Sequence, residues 1–263
     1  MTPKSVLAWV AGITLIAWAS QAQEIADPAA GGTIEIEAED GIEWIRDAKT
    51  YVARGNARAA RSGIEVLADT LTAYYRVGAD GDGQKIFRVD ADGNVRILSA
   101  SERAYGEKAI YHMDEAVVVL LGSGLRFETT DAVITARDSL EYWQNKQLAV
   151  ARGEAVVTQG ENRLKANILS AHFAASSSGK QGVEQIDAFG DVHISTPTEI
   201  ARGDEGVYIL ADGIATLCGN VRITRGDSQL NGECAEVNLN TGISRLLGGT
   251  GRVRGLITPK GGQ

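Results

Sequence analysis

The sequence predicts an all-β protein built from two tandem halves, each of three strand-bearing units. Three observations predict it. A short phrase opening on glycine recurs along the chain. Apolar and polar residues alternate after each of those glycines. The spacing of the phrases itself repeats after three units. Alternation with period two, between turn residues, is the mark of half-buried strands, and self-similarity at a fixed interval marks a repeat architecture.

Taken from the N-terminus, the first element is not part of the fold. Lys4, the apolar run Val6 to Ala19 and the small-residue site Ser20-Gln21-Ala22 read as a secretory signal over residues 1–22, with cleavage expected before Gln23. The alternative is an uncleaved anchor, but the run has 14 residues, short of the about 20 that a spanning helix needs. No Cys follows it, so lipid attachment is not expected. Residues 23–32 are expected to be a disordered linker, 33–257 the folded domain with halves at about 51–150 and 151–255, and 258–263 a disordered tail. Export without a second apolar segment points to the periplasm or beyond. Beyond the signal no helix is expected.

The repeat units follow in order. They open at Gly55 (GNARA), Gly93 (GNVRI), Gly122 (GSGLRF), Gly153 (GEAVV), Gly190 (GDVHI) and Gly219 (GNVRI), and Gly251 continues the series. Positions three units apart differ by 97 or 98 residues. Over Gly93–Gly122 against Gly190–Gly219, nine of 30 positions are identical without a gap, among them Val95/Val192, Ile97/Ile194 and Glu102/Glu199. The first units align as Leu71/Leu169, Ala73/Ala171 and Tyr75/Phe173, with loop compositions (78–84 and 175–182) at equivalent places.

Within units the apolar residues fall two and four places after the glycine: Ala57/Ala59, Val95/Ile97, Ala155/Val157, Val192/Ile194 and Val221/Ile223. The Gly122 unit is shifted by one, to Leu125/Phe127, which suggests a bulge there. Such strands have one apolar face, to be buried or occupied. The sheet could close on itself, pack as a sandwich, or coil as a jelly-roll-like solenoid. Small linings leave room for an apolar ligand, and a thin filled sandwich explains them equally well.

Composition narrows the function. The formal charge is −8, and losing Lys4 makes it more negative, so nucleic acid is not expected as a partner. No catalytic or metal constellation is legible. His112, His172 and His193 lie in different units, and His193 fills the outward slot that Arg96 and Arg222 hold elsewhere. Asp80, Asp82, Asp90 and Asp92 form a loose acidic run lacking the bidentate Glu of a calcium loop, and read as a hydrated turn. No cofactor is expected. Cys218 and Cys234 lie eight residues either side of Gly226. If 218–224 and 228–234 form a hairpin they face each other, as a disulfide or as two buried thiols. Arg225-Gly226-Asp227 is a turn composition.

IEIEAEDGIEW (34–44), YVARGNARAARSGIEVLADTLTAYYR (51–76) and the repeated LxGxVxI phrase resemble the OstA-like lipopolysaccharide-transport family, over essentially the whole chain after the signal. The resemblance implies an open antiparallel β-jelly roll or sandwich whose two sheets form an apolar trough for the acyl chains of lipopolysaccharide, and it carries no catalytic residues. It implies edge-strand contacts with an inner-membrane anchored LptC-like protein and with the N-terminal domain of an LptD-like translocon, and possible head-to-tail self-association. The strands expected to stay open for this are 33–39 and 251–257. With the alternation, it puts Ala59, Leu71, Tyr75, Val95, Ile97, Leu125, Phe127, Val157, Leu169, Phe173, Val192, Ile194, Val221 and Ile223 on the trough wall. The rival readings are a ligand-free extracytoplasmic scaffold and a secreted β-solenoid enzyme acting on polysaccharide.

Overall fold

A computed structural model of the chain describes residues 34–77, 83–175, 181–238, 240–241, 243–249 and 251–256. The signal, the linker and the C-terminal tail lie outside the described residues, as do Thr33, Ile257, Asp80 and Asp82. The strands are β1 (Glu35–Glu37), β2 (Gly41–Ile45), β3 (Thr50–Arg61), β4 (Ile64–Val77), β5 (Gln84–Leu98), β6 (Arg103–His112), β7 (Val117–Leu121), β8 (Arg126–Glu128), β9 (Val133–Thr135), β10 (Ser139–Trp143), β11 (Leu148–Gln159), β12 (Asn162–Ala175), β13 (Gln181–Ser195), β14 (Ile200–Ile209), β15 (Ile214–Arg225), β16 (Ser228–Asn238), β17 (Ile243–Leu247) and β18 (Arg254–Leu256). Among the described residues the one helical element is a 3₁₀ turn at Gln144–Lys146.

All pairing is antiparallel and proceeds rung by rung. Strands β1 and β2 both pair with β3, and β3 to β6 pair in sequence. Strand β6 pairs with both β7 and β8, which pass the ladder through β10 and β9 to β11. From β11 it runs in sequence to β16, which pairs with β17 and β18. The repeat is visible in element boundaries. Strands β1 to β4 recur as β9 to β12 with every end displaced by 98 residues, and β5 and β6 recur as β13 and β14 displaced by 97.

The recurring Gly phrase is where each long strand turns a corner. The registers slip between Asp92 and Val95, Arg152 and Ala155, Phe189 and Val192, and Cys218 and Val221. Each slip holds two consecutive residues with positive φ, such as Gly93 (81°) with Asn94 (50°) and Gly219 (80°) with Asn220 (51°). Such a bulge bends a strand. Glycine is required for a second reason: a Cβ at Gly93 would collide with the Asp69 carboxylate on the preceding strand, and one at Gly219 with that of Asp204. Asn94 and Asn220 donate their side-chain amides to those same carboxylates, at 3.0 and 2.9 Å. At Gly190 the residue types exchange places, with Asn167 on the preceding strand and Asp191 in the bulge.

Two expectations are corrected. The Gly122 unit is not the bulged one: bulges occupy the other corners, while here the strand breaks between β7 and β8 at Gly122 and Gly124, both with positive φ. Asp90 and Asp92 do not lie in a hydrated turn but within β5, where buried Asp90 accepts two hydrogen bonds from Arg88 at 2.6 and 2.7 Å and Asp92 accepts one from Lys108 at 2.9 Å.

The line of corners creases the sheet into two facing leaves. The first leaf carries the Thr50–Arg54, Thr70–Val77, Gln84–Asp92 and Leu148–Arg152 segments and their repeats. The second carries Ala57–Arg61, Val95–Leu98, Ala155–Gln159 and theirs. At the crease Val95, Val192 and Val221 are the fully buried apex residues, joined by Leu125 and Ile134. On the outer face of the second leaf, Lys165, His193, Arg202 and Arg222 stand directly opposite one another on four successive strands. Cys218 and Cys234 are opposite on β15 and β16 and are joined by a disulfide.

Candidate functional site: the space between the leaves

The two leaves diverge from the crease and leave two apolar cavities between them. The larger, about 130 Å³, is bordered by Ile97, Phe127 and Val157 of the second leaf and by Leu169 and Phe173 of the first. The smaller, about 90 Å³, is bordered by Ile194 and Ile223 of the second leaf and by Val192, Leu217 and Val237. Ile186 borders both, so the cavities lie end to end along the crease.

Eight of the fourteen positions expected on the trough wall border a cavity: Ile97, Phe127, Val157, Leu169 and Phe173 the larger, Val192, Ile194 and Ile223 the smaller. Six do not. Val95, Leu125 and Val221 are sealed into the crease. Ala59 and Leu71 lie on the first rungs, in β3 and β4, and border neither cavity. Tyr75 is buried in an aromatic group, 5.3 Å from the Tyr51 ring, and accepts a hydrogen bond from the Trp44 indole at 2.9 Å. Strict alternation identifies the inward face but not how far the leaves have separated at each residue.

Alternation also passes over the polar groups of the interior. Glu102 borders the larger cavity with Tyr142, and Glu199 borders the smaller with Tyr208. Both acids are nearly inaccessible, and burial pushes Glu102 up to about 7. Burial raises Glu199 too, against an opposing pull from Arg225. Both phenols are raised by burial, and Tyr142 also by the neighbouring Glu102. The signal for the acids was present in the chain, since Glu102/Glu199 is among the identities between the halves. Tyr142 packs edge-on against Phe173 at 6.2 Å. No group of three or more His, Cys, Asp or Glu side chains able to hold a metal gathers among the described residues.

Residues 133–243 match the family model of the LptA/(LptD N-terminal domain) LPS transport protein. Over that segment, less than half of its length, the chain is similar to the OstA-like lipopolysaccharide transport family. The matched segment runs from β9 to the start of β17 and includes the whole border of the smaller cavity. Among solved structures, the chain is similar to the crystal structure of LptH, the LptA homologous periplasmic component of the conserved lipopolysaccharide transport device from Pseudomonas aeruginosa. The identity is 21% and the TM-score 0.41, over 49% of this chain and 95% of that one. No curated protein matches the chain. The OstA-like family is a transport family, not a family of enzymes.

Proposed function

We propose that the chain is a periplasmic carrier that bridges part of the route from inner to outer membrane and shields the acyl chains of lipopolysaccharide between its leaves. The single observation that supports this is the pair of end-to-end apolar cavities along the crease. An exposed methylene in water costs about 0.8 kcal/mol, so an acyl chain gains steadily by lying against Ile97, Phe127, Ile194 and Ile223. The wall is mostly aliphatic, which holds a chain without fixing it and lets it slide. The protein is acidic and so is the headgroup, so the acyl chains supply most of the affinity.

The ends of the ladder favour the bridge part of the reading. Among the described residues, strands β1 and β2 pair with β3 alone, and β17 and β18 with β16 alone. Ile36, Ile42, Trp44 and Ile45 at one end and Ile243, Leu247 and Leu256 at the other are exposed. Unpaired edges of this kind accept a further strand, here from an LptC-like protein, an LptD-like N-terminal domain or a second copy. The test is a photo-crosslinking residue in cells. At Ile194, which borders a cavity, it traps lipopolysaccharide; at the adjacent His193, on the opposite face, it does not. Equal trapping at both positions overturns the proposal.

A further inference from the structure

Glu102 and Glu199 occupy the same place in the two halves of the molecule. Each ends a turn in which the first hydroxyl accepts the Glu backbone N–H: Ser99 Oγ at 3.1 Å for Glu102 and Thr196 Oγ1 at 3.2 Å for Glu199. A third turn is closed by the same bond, from Ala132 N–H to Thr129 Oγ1 at 3.0 Å, and it carries alanine where the others carry glutamate. The turn therefore does not need a carboxyl group.

The Glu102 carboxyl group is also poorly served by the protein. Glu102 is 4% exposed and Glu199 7%. Among the described residues, Glu102 Oε2 and Tyr142 Oη are both buried without a hydrogen-bond partner, on one cavity. Burying a polar group without a partner is unfavourable, and alanine was available. Two such groups beside one apolar cavity, with Glu199 and Tyr208 beside the other, mark the place of a polar group that arrives with the ligand.

We propose that each cavity recognises a hydroxyl group carried along an acyl chain, through Glu102 with Tyr142 in one and Glu199 with Tyr208 in the other. A hydroxyl is the fitting class because it can donate to a carboxylate oxygen and accept from a phenol at once. A plain hydrocarbon chain leaves both groups unpaired. This rests on the carrier reading and narrows it to hydroxylated acyl chains.

The test compares affinities of the purified full chain for tetradecanoate and for its monohydroxy derivatives with the hydroxyl at successive carbons, by titration calorimetry. The wild-type protein binds the best hydroxy isomer at least about fivefold more tightly than the plain chain, the worth of one or two buried hydrogen bonds. In E102A/E199A, for which the Ala132 turn is the precedent, the ratio falls to about one while binding of the plain chain persists. Tyr142→Phe with Tyr208→Phe reduces the ratio with the acids left in place. A wild-type ratio near one, or a ratio unchanged in E102A/E199A, overturns the inference and leaves the carrier reading standing. If the wild-type protein binds neither chain, the carrier reading fails first.

Discussion

Asn94, in the corner of β5, donates its side-chain amide to both carboxylate oxygens of Asp69 on β4, at 3.1 and 3.0 Å. The two residues are 25 apart in sequence, and the contact ties one crease position to the strand before it. Asn220 and Asp204 repeat the arrangement. The Asp69→Ala and Asn94→Ala variants should each lose about 1 kcal/mol of stability, and their double variant less than the sum. Urea unfolding of the four-protein cycle measures the coupling; strict additivity would show that the pair does not act as one.

Gly93 should tolerate nothing larger. Alanine there takes a left-handed conformation costing about 1–2 kcal/mol and also displaces Asp69. Gly226 also has positive φ (54°), but open space surrounds its missing Cβ. Gly93→Ala should therefore destabilise clearly more than Gly226→Ala, as read from denaturant midpoints. Equal losses would mean that the corner has room to relax.

The buried acid gives stability a pH dependence of defined sign. Burial favours the neutral form of Glu102, so the folded protein holds that proton more tightly than the unfolded chain. The resulting stabilisation is fully present below the ordinary carboxylate value of 4.5 and is lost as pH rises through about 7. The loss is of the order of 3 kcal/mol. Comparing wild-type protein with Glu102→Gln between pH 5 and 8 isolates this group, since the exposed carboxylates held low by Arg76 and Arg137, those of Asp114 and Asp138, stay ionised in that window. Parallel stability curves would refute the burial of a titrating acid.

The disulfide spans 16 residues of sequence across a tight hairpin. In the chain-entropy account, closing a loop of that length is worth about 3 kcal/mol. Reduction, or the C218A/C234A variant, should lower the melting temperature without abolishing the β-sheet circular dichroism signal.

Arg202 and Arg222 stand directly opposite on neighbouring strands, with His193 on the far side of Arg202. Like charges so placed repel, and an opposite pair is worth about 0.2–1 kcal/mol. Arg222→Glu should stabilise the protein by that order in low salt, with the gain shrinking as salt is added.

The strands themselves were legible in the sequence, because period-two alternation is local: Val95/Ile97 and Val192/Ile194 announce an inward face within five residues. The repeat was legible for the same reason, and its offset recurs in the strand boundaries. The crease was not. A Gly-Asn pair reads as a turn, and becomes a bulge only because Asp69 or Asp204 waits on the neighbouring strand. The wall positions were legible only in part. Val95 and Ile97 share a face and a strand, yet one is sealed at the apex and the other borders a cavity, a difference set by distance from a crease that no local pattern encodes. Glu102 was visible as an identity between the halves without a role, since its meaning depends on Tyr142, which lies 40 residues away in sequence.

Among the described residues each strand bonds only to strands close to it in the chain, three places away at most, and the first set of strands reappears in the second at an interval of 97 or 98 residues. Assemblies of that kind grow by addition. A third block of about 97 residues, spliced in at the junction of the first two, would meet on either side the surfaces it already knows. The reach of the molecule is therefore a matter of copy number, and evolution or an engineer can lengthen it in whole steps without redesigning a single joint.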